Sequence, residues 1–354
     1  MTGLASLATN TGLASGSVDI DRLEAWMDTQ RLESGPIENG VLLKGGTQNI
    51  LLRFRRGRRQ FVLRRPPDNS YLAGGRTILR EARILTALSD SGIPCPSLIA
   101  ACTDTNVLGA PFYLMESIDG FCATQGLPAL HRSSPAIRHA MGFSLVDALA
   151  ALAQVDYRTI GLEDFGKPEG FVERQVQRWL GQLDGYSKFP AWTGRKDLFA
   201  IERIASWLET NRPTSGAGGI LHGDFHMGNV LYSFHGPEVL AVVDWEISTL
   251  GDPLVDLGCL LATWADADGS HPGCISVTPW SGFPTEDELI TRYAERSGRD
   301  VAAMNWYIVL ACFKLAVIQE GTNARASAGQ ADPELAKWLH TCTIALLERA
   351  VSRL

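Results

Sequence analysis

The chain is short of positive charge: 32 Lys and Arg stand against 39 Asp and Glu, a formal net charge of −7. Neutralising a phosphate backbone takes an excess of cations, so this balance argues against a general nucleic-acid binder while leaving room for a local basic site. Nor is there an apolar run approaching the roughly 18 residues that a membrane span requires. The opening residues MTGLASLATNTGLASGS have no basic n-region and no sustained apolar stretch, so no secretory signal is expected. Seven cysteines, at 95, 102, 122, 259, 274, 312 and 342, form no CxxC pair and keep no regular spacing. An odd, scattered set fits small buried thiols in a reducing compartment better than a disulfide framework. Internal repeats and low-complexity linkers are missing too. A cytoplasmic protein is expected, with neither nucleic acid nor membrane as partner.

What is present is enough apolar residue for a sizeable core, 45% of 354 positions. Length favours two domains or lobes. Residues 1–17 are small and polar and are expected to be disordered. A short amphipathic helix follows at about 20–32, with Asp19 or Asp21 able to cap it. The runs GVLL, NILLRF and QFVLRR suggest strands, with Gly57 marking a hairpin turn. A helical period spans 75–90 with Gly92 as its stop, and SLIAAC and PFYLMES suggest two more strands. After Gly120 the pattern becomes mainly helical. Ser134-Pro135 opens a helix to about 154, and further helices are expected near 171–183, 196–210, 253–265, 286–297, 302–325 and 333–352. One polar hairpin, 221–246, interrupts them.

That hairpin carries LHGDFHMGNVLY, with two histidines, an acid, an amide and two glycines in eight residues. A plain loop of turn residues explains Gly, Asp and Asn but not a second acid, Asp244, in the following apolar run. A metal site using His222 and His226 would need a helix to bring residues four apart together, and Gly223 and Gly228 oppose one. Phosphoryl transfer is the third reading. Kinase catalytic loops place an Asp five residues before an Asn and a metal-binding Asp on a later strand. Asp224, Asn229 and Asp244 keep that order and spacing. Mg²⁺ takes hard oxygen ligands, here the Asn229 amide and the Asp244 carboxylate, while Asp224 orients the acceptor hydroxyl and takes its proton.

HGDFHMGN, the Asp244-Trp245-Glu246 triplet and LGDPLVDLG (250–258) together resemble the aminoglycoside phosphotransferase (APH) family, small-molecule kinases with a protein-kinase-like fold. The resemblance runs from Val41 to Gly329. It implies an α+β, bilobal fold, with a small antiparallel-sheet nucleotide-binding N-lobe over 18–116 and a larger, mainly helical catalytic and acceptor-binding C-lobe over 117–354. ATP and Mg²⁺ are the implied cofactors. KGGTQN would cover the phosphates through Gly45, Gly46 and Thr47. FVLR takes the place of the kinase VAIK strand. Strand alternation puts Arg64 beside Val62 and turns Arg65 away, so Arg64 is the candidate cation, with Glu81 its partner on the next helix. Arginine in place of lysine stays charged and offers a fork rather than a point charge, so its phosphate geometry must differ. YLMESI resembles the interlobe hinge, where backbone groups of Glu116 and Ile118 would face adenine. Asp256 would brace the catalytic loop, or serve only as a helix N-terminal acid. Lys314 and Arg325 share a helix side and are expected at its surface, as an alternative to meeting an anionic acceptor. Seven arginines between 53 and 65 suit a solvated edge hairpin better than a docking surface.

GGTQN, FVLRRPP and RYAERSGRD resemble a branch associated with acyl-CoA dehydrogenases, which implies a hydroxyacyl-CoA acceptor. An aminoglycoside or amino alcohol is the alternative small-molecule acceptor. A non-catalytic nucleotide-binding regulator is the alternative of another class, favoured only by Arg64. Oligomeric state stays open.

Overall fold

An aspartate opens the first helix: Asp19 accepts from the Arg22 amide at 3.1 Å and starts α1, Ile20–Thr29. The computed structural model describes residues 18–43, 49–67, 71–198, 200–214, 216–273 and 275–354, so the expected tail and the Gly45-Gly46-Thr47 turn lie outside the described residues. The chain folds as two compact units. The first holds residues 1–133, 159–162 and 227–248, the second the remainder.

Strand alternation builds the first unit. β1 (Ile37–Leu42), β2 (Ile50–Arg56), β3 (Arg59–Arg65), β4 (Leu98–Cys102) and β5 (Phe112–Glu116) form an antiparallel sheet of order β1-β2-β3-β5-β4. Gly57 adopts φ +56 at the β2–β3 turn, a left-handed backbone that glycine takes without strain. Register pairs Leu52 with Leu63, Phe54 with Phe61 and Leu63 with Leu114. These side chains form one core with Leu23 and Met27 of α1. Burying each such group stabilises by about 1.5–3 kcal/mol. Leu51, Arg53, Val62 and Met115, one position out of phase, line a cavity instead. Helix α2 (Tyr71–Leu88) starts four residues before the expected point, and the short α3 (Thr105–Leu108) links β4 to β5. α4 (Ala129–Ser133) completes this stretch.

The second unit is helical. Ser134 accepts from the Ile137 amide and Pro135 begins α5, Pro135–Leu152, as the sequence implies. α6 (Gln175–Asp184) and α7 (Ile201–Thr210) are shorter than expected; one 3-10 turn, Val172–Arg174, leads into α6, and two, Gly185–Lys188 and Arg195–Asp197, lie between α6 and α7. β6 (Gly219–Leu221) pairs antiparallel with a later strand, β9, described below. Helices α8 (Leu254–Ala262), α9 (Glu286–Ser297), α10 (Met304–Ala326) and α11 (Pro333–Val351) finish the chain. α10 is apolar around most of its circumference and packs against both α8 and α11. Gly258 permits the close approach of α8, since a Cβ there would stand 2.5 Å from the Tyr307 carbonyl oxygen.

The expected single hairpin over 221–246 is corrected. β7 (Val230–Tyr232) pairs with β8 (Val239–Val242) in the first unit, while β6 pairs with β9 (Thr249–Gly251) in the second. Gly223 at φ +89 and a 3-10 turn at Met227–Asn229 break the strand between β6 and β7. The arginine run is also more diverse than a solvated edge. Arg55 pairs with Glu38, buried Arg56 donates to Asp28 and to the Gly35 carbonyl at 2.8 Å, and Arg59 lies over the Phe61 ring.

Candidate active site

In the first unit the sheet presents Arg64 to three carboxylates. Its Nε stands 2.9 Å from Glu81 Oε2, and one Nη2 stands 2.7 Å from Asp244 Oδ1 and 3.1 Å from Glu246 Oε2. Strand alternation and α2 therefore bring the expected Arg64–Glu81 pair together. Burial alone would lower the Arg64 pKa, but Glu81, Asp244, Tyr113 and Glu246 hold the guanidinium firmly charged. Burial pushes Glu81 up to about 7, with Arg64 only partly opposing it because Asp244 and Glu246 share the same cation. The acids also differ in access. The Glu81 side chain is 2% exposed, whereas Asp244 and Glu246 are 24% and 17% exposed, so only the outer two can meet a ligand.

Asp244 was expected on a strand; β8 stops at Val242, and Asp244 adopts φ +70. Aspartate tolerates this left-handed region better than most residues. The cause is Trp245. Its side chain is 1% exposed, its amide donates to Glu81 Oε1 at 3.1 Å, and its indole N–H donates to the Val242 carbonyl at 2.9 Å. Anchoring Trp245 inward turns both flanking acids outward. Asn229 is buried, and its carbonyl accepts from the Val243 amide at 2.9 Å, which fixes it one residue from Asp244. Glu246 was not anticipated as a site residue, and the Asp-x-Glu spacing around a large anchor was its available signal. Its Oε2 lies within about 5.8 Å of Asp244 Oδ1, since the two stand 3.1 and 2.7 Å from one nitrogen. Asn49 Nδ2 donates to Glu246 at 3.0 Å. Clustered hard oxygens already facing a cation are a donor set that fits Mg²⁺.

The cavity on the same side of the sheet is about 610 Å³. Leu51, Val62, Met115, Leu231 and Val243 supply apolar walls, and Glu116 and Ile118 stand in its lining. The Glu116 amide donates to the Ser97 carbonyl at 2.9 Å, so that N–H is already engaged.

The second unit holds Asp224, 3% exposed, joined to Asn229 by five residues of chain. Two acceptors brace its loop: Asp256 Oδ2 takes the His222 amide at 2.6 Å and Oδ1 the Gly223 amide at 2.9 Å. Asp256 is thus more than a helix-end acid. The Asp224 amide donates to His222 Nδ1 at 3.2 Å, and His226 Nε2 stands 3.4 Å from Asp224 Oδ2. Burial would raise the Asp224 carboxyl, but His226, Lys314 and His222 together hold it well below the usual carboxylate range. Lys314 corrects another expectation. It is 5% exposed, not on the surface, and its Nζ donates to the Gly223 carbonyl. Arg325, by contrast, stays at the helix end and donates to Thr322 Oγ1 at 2.9 Å.

A sheet cation paired with a helix acid, an acid-Trp-acid turn and a braced Asp loop define the class of small-molecule phosphotransferases, kinases of hydroxyl acceptors with the α+β protein-kinase-like fold. The chain belongs to the APH phosphotransferase enzyme family, whose sequence profile matches residues 41–307. A solved chain from Ralstonia eutropha JMP134, classed with the aminoglycoside phosphotransferases, is 30% identical with a TM-score of 0.77 over 95% of this chain and 99% of that one. The ternary complex of aminoglycoside phosphotransferase APH(4)-Ia with ADP and hygromycin B has the same fold, with 15% identity and a TM-score of 0.56 over 92% of this chain and 98% of that one. Acyl-CoA dehydrogenase family member 10 of Mus musculus is 32% identical over 330 residues, 90% of this chain. The chain spans 29% of that relative's length.

Proposed function

We propose that the chain moves the γ-phosphoryl group of ATP to a hydroxyl of an acyl-CoA-type acceptor. The observation that carries the kinase chemistry is the single Arg64 guanidinium shared among Glu81, Asp244 and Glu246, in the same unit as a cavity of about 610 Å³ with apolar walls. In this reading the Glu116 carbonyl and the Ile118 amide meet adenine, and Gly45, Gly46 and Thr47 cover the phosphates. Arg64, oriented by Glu81, faces them with a fixed fork. Asn229 and Asp244, with Glu246 beside them, would hold Mg²⁺, which when bound neutralises phosphate charge. Asp224 orients the acceptor hydroxyl and takes its proton as the new O–P bond forms. The bound ADP in the APH(4)-Ia complex supports a nucleotide donor, and its hygromycin B supports a small hydroxylated acceptor.

The match to an acyl-CoA dehydrogenase family member over 90% of the chain favours the acyl-CoA acceptor over an aminoglycoside or amino alcohol. An arginine-rich first unit also suits a polycation poorly. Arg64 is the one departure that would favour a non-catalytic regulator, yet its site retains all three carboxylates. Labelled ATP offered with hydroxyacyl-CoAs, aminoglycosides and amino alcohols tests the reading. Label on hydroxyacyl-CoAs is expected; label on aminoglycosides alone reverses the acceptor, and no Mg²⁺-dependent transfer to any hydroxyl leaves the regulator.

A further inference from the structure

Lys314 lies 90 residues beyond Asp224 in sequence, on the buried helix α10, yet it reaches the catalytic loop. Its Nζ donates to the Gly223 carbonyl, one residue before Asp224, and sits 5.9 Å from the centre of the Trp179 ring on α6. The charge of this ammonium acts on Asp224 of the loop and on Asp256 and Cys259 of α8. Two of these are carboxylates, both nearly inaccessible to solvent. A buried ion without a counter-charge costs several kcal/mol in such surroundings, so a fixed cation beside two acids has a clear physical task. Asp256 holds the two amides of His222 and Gly223. Lys314 holds the Gly223 carbonyl.

We propose that Lys314 is a positioning residue for phosphoryl transfer: it fixes the direction of Asp224 through the Gly223 carbonyl and places a buried cation on the loop that carries this carboxylate. The proposal rests on the reading of Asp224 as the general base. In the step it serves, the acceptor O–H bond breaks and its proton passes to Asp224. The acceptor oxygen bonds to the γ-phosphorus, and the bond from that phosphorus to the bridging oxygen breaks, releasing ADP. The proton then leaves Asp224 for solvent. Lys314 changes neither partner and touches no reacting atom. Its weak cation–π contact with Trp179 keeps the ammonium from swinging away.

Three variants separate tether from charge. Lys314→Gln keeps a donor for the Gly223 carbonyl and removes the charge, Lys314→Met removes both, and Lys314→Arg keeps both in a different shape. In the full chain, aspartate carboxyl carbons are followed by NMR against pH, with Asp224 assigned from its loss in Asp224→Asn. Calorimetric Mg-ATP binding checks that each variant is folded. The Asp224 carboxyl signal is expected to titrate at least one pH unit higher in Lys314→Gln and Lys314→Met, and to stay low in Lys314→Arg. With an acceptor, kcat should fall tenfold or more in Lys314→Met, with the KM for ATP within twofold of wild type and partial recovery in the glutamine and arginine variants. An unmoved Asp224 signal in a Lys314→Gln protein that still binds Mg-ATP overturns the assignment of Lys314. Wild-type turnover by Asp224→Asn would instead remove the general-base reading beneath it, a distinct pattern.

Discussion

Replacing Asp256 by asparagine distinguishes a loop brace from a helix-end acid by magnitude. As a helix N-terminal charge alone, Asp256 would contribute about 0.3–1 kcal/mol. The geometry demands more. Each carboxylate oxygen takes one buried amide, at 2.6 Å from His222 and 2.9 Å from Gly223. Asparagine keeps one oxygen and turns an NH₂ toward the other amide, so one charge-assisted hydrogen bond becomes neutral and one buried N–H loses its acceptor. Bonds to charged groups contribute about 1.5–3 kcal/mol each, and an orphaned buried donor costs about 1–3 kcal/mol. Asp256→Asn should therefore destabilise the second unit by about 2–5 kcal/mol, lowering Tm by roughly 4–20 °C at 2–4 °C per kcal/mol. Displacing the loop by even an ångström should lower kcat about 10²-fold, because the reacting groups lose alignment. Mg-ATP binding by the same variant tests whether the Arg64 cluster and the cavity of the first unit are affected as well. Thermal melts, calorimetry and steady-state kinetics on one preparation suffice. A Tm drop under about 2 °C with kcat near wild type would refute the brace, since only the small helix-dipole contribution would remain.

Asp224→Asn should bind Mg-ATP normally while turnover falls about 10²–10⁴-fold, whereas Asp244→Ala should weaken the Mg²⁺ dependence of ATP binding; calorimetry with and without Mg²⁺ decides, and the reverse pattern defeats the assignment. Glu81→Ala should raise the KM for ATP and lower turnover through loss of Arg64 orientation. Arg65→Ala, which removes a buried side chain donating to the Pro66 carbonyl at 3.2 Å, should instead lower Tm with KM unchanged; steady-state kinetics and melting curves on both variants separate the roles. The depressed Asp224 pKa contributes stability that is present above its ordinary value of 3.8 and is lost as pH falls below it. Urea midpoints of wild type and Asp224→Asn should therefore begin to converge as pH falls through about 4 and go on converging toward more acid pH, and a gap that widens toward acid would show the opposite sign.

Local chemistry made much of this legible. The Ser134 cap, the Gly57 turn and the period-two alternation that separates Val62 and Arg64 from the core face all operate within a few residues, and the structure follows them. The order of Asp224, Asn229 and Asp244 was legible for the same reason. Failures came where a distant group decides a local conformation. β6 pairs Leu221 with Thr249, not with the nearer apolar run, and no turn signal encodes that choice. Asp244 leaves the strand because Trp245 is drawn toward Val242 and Glu81, a contact across 164 residues.

Lys314 shows why charge state is harder to see in a sequence than residue role. On a helical wheel it is one cation in an apolar run, and surface placement is the ordinary expectation for lysine. Burial becomes tolerable only because Asp224 and Asp256 are brought beside it from two other segments. The same holds in the first unit, where Arg64 is buried because Glu81, Asp244 and Glu246 converge on it. A cation is placed in each unit by long-range folding, and in each case the neighbouring acids, not the cation's own segment, make that position stable. The order of the proposed catalytic acids is therefore open to a reading from spacing, while the buried cations beside them require the assembled fold.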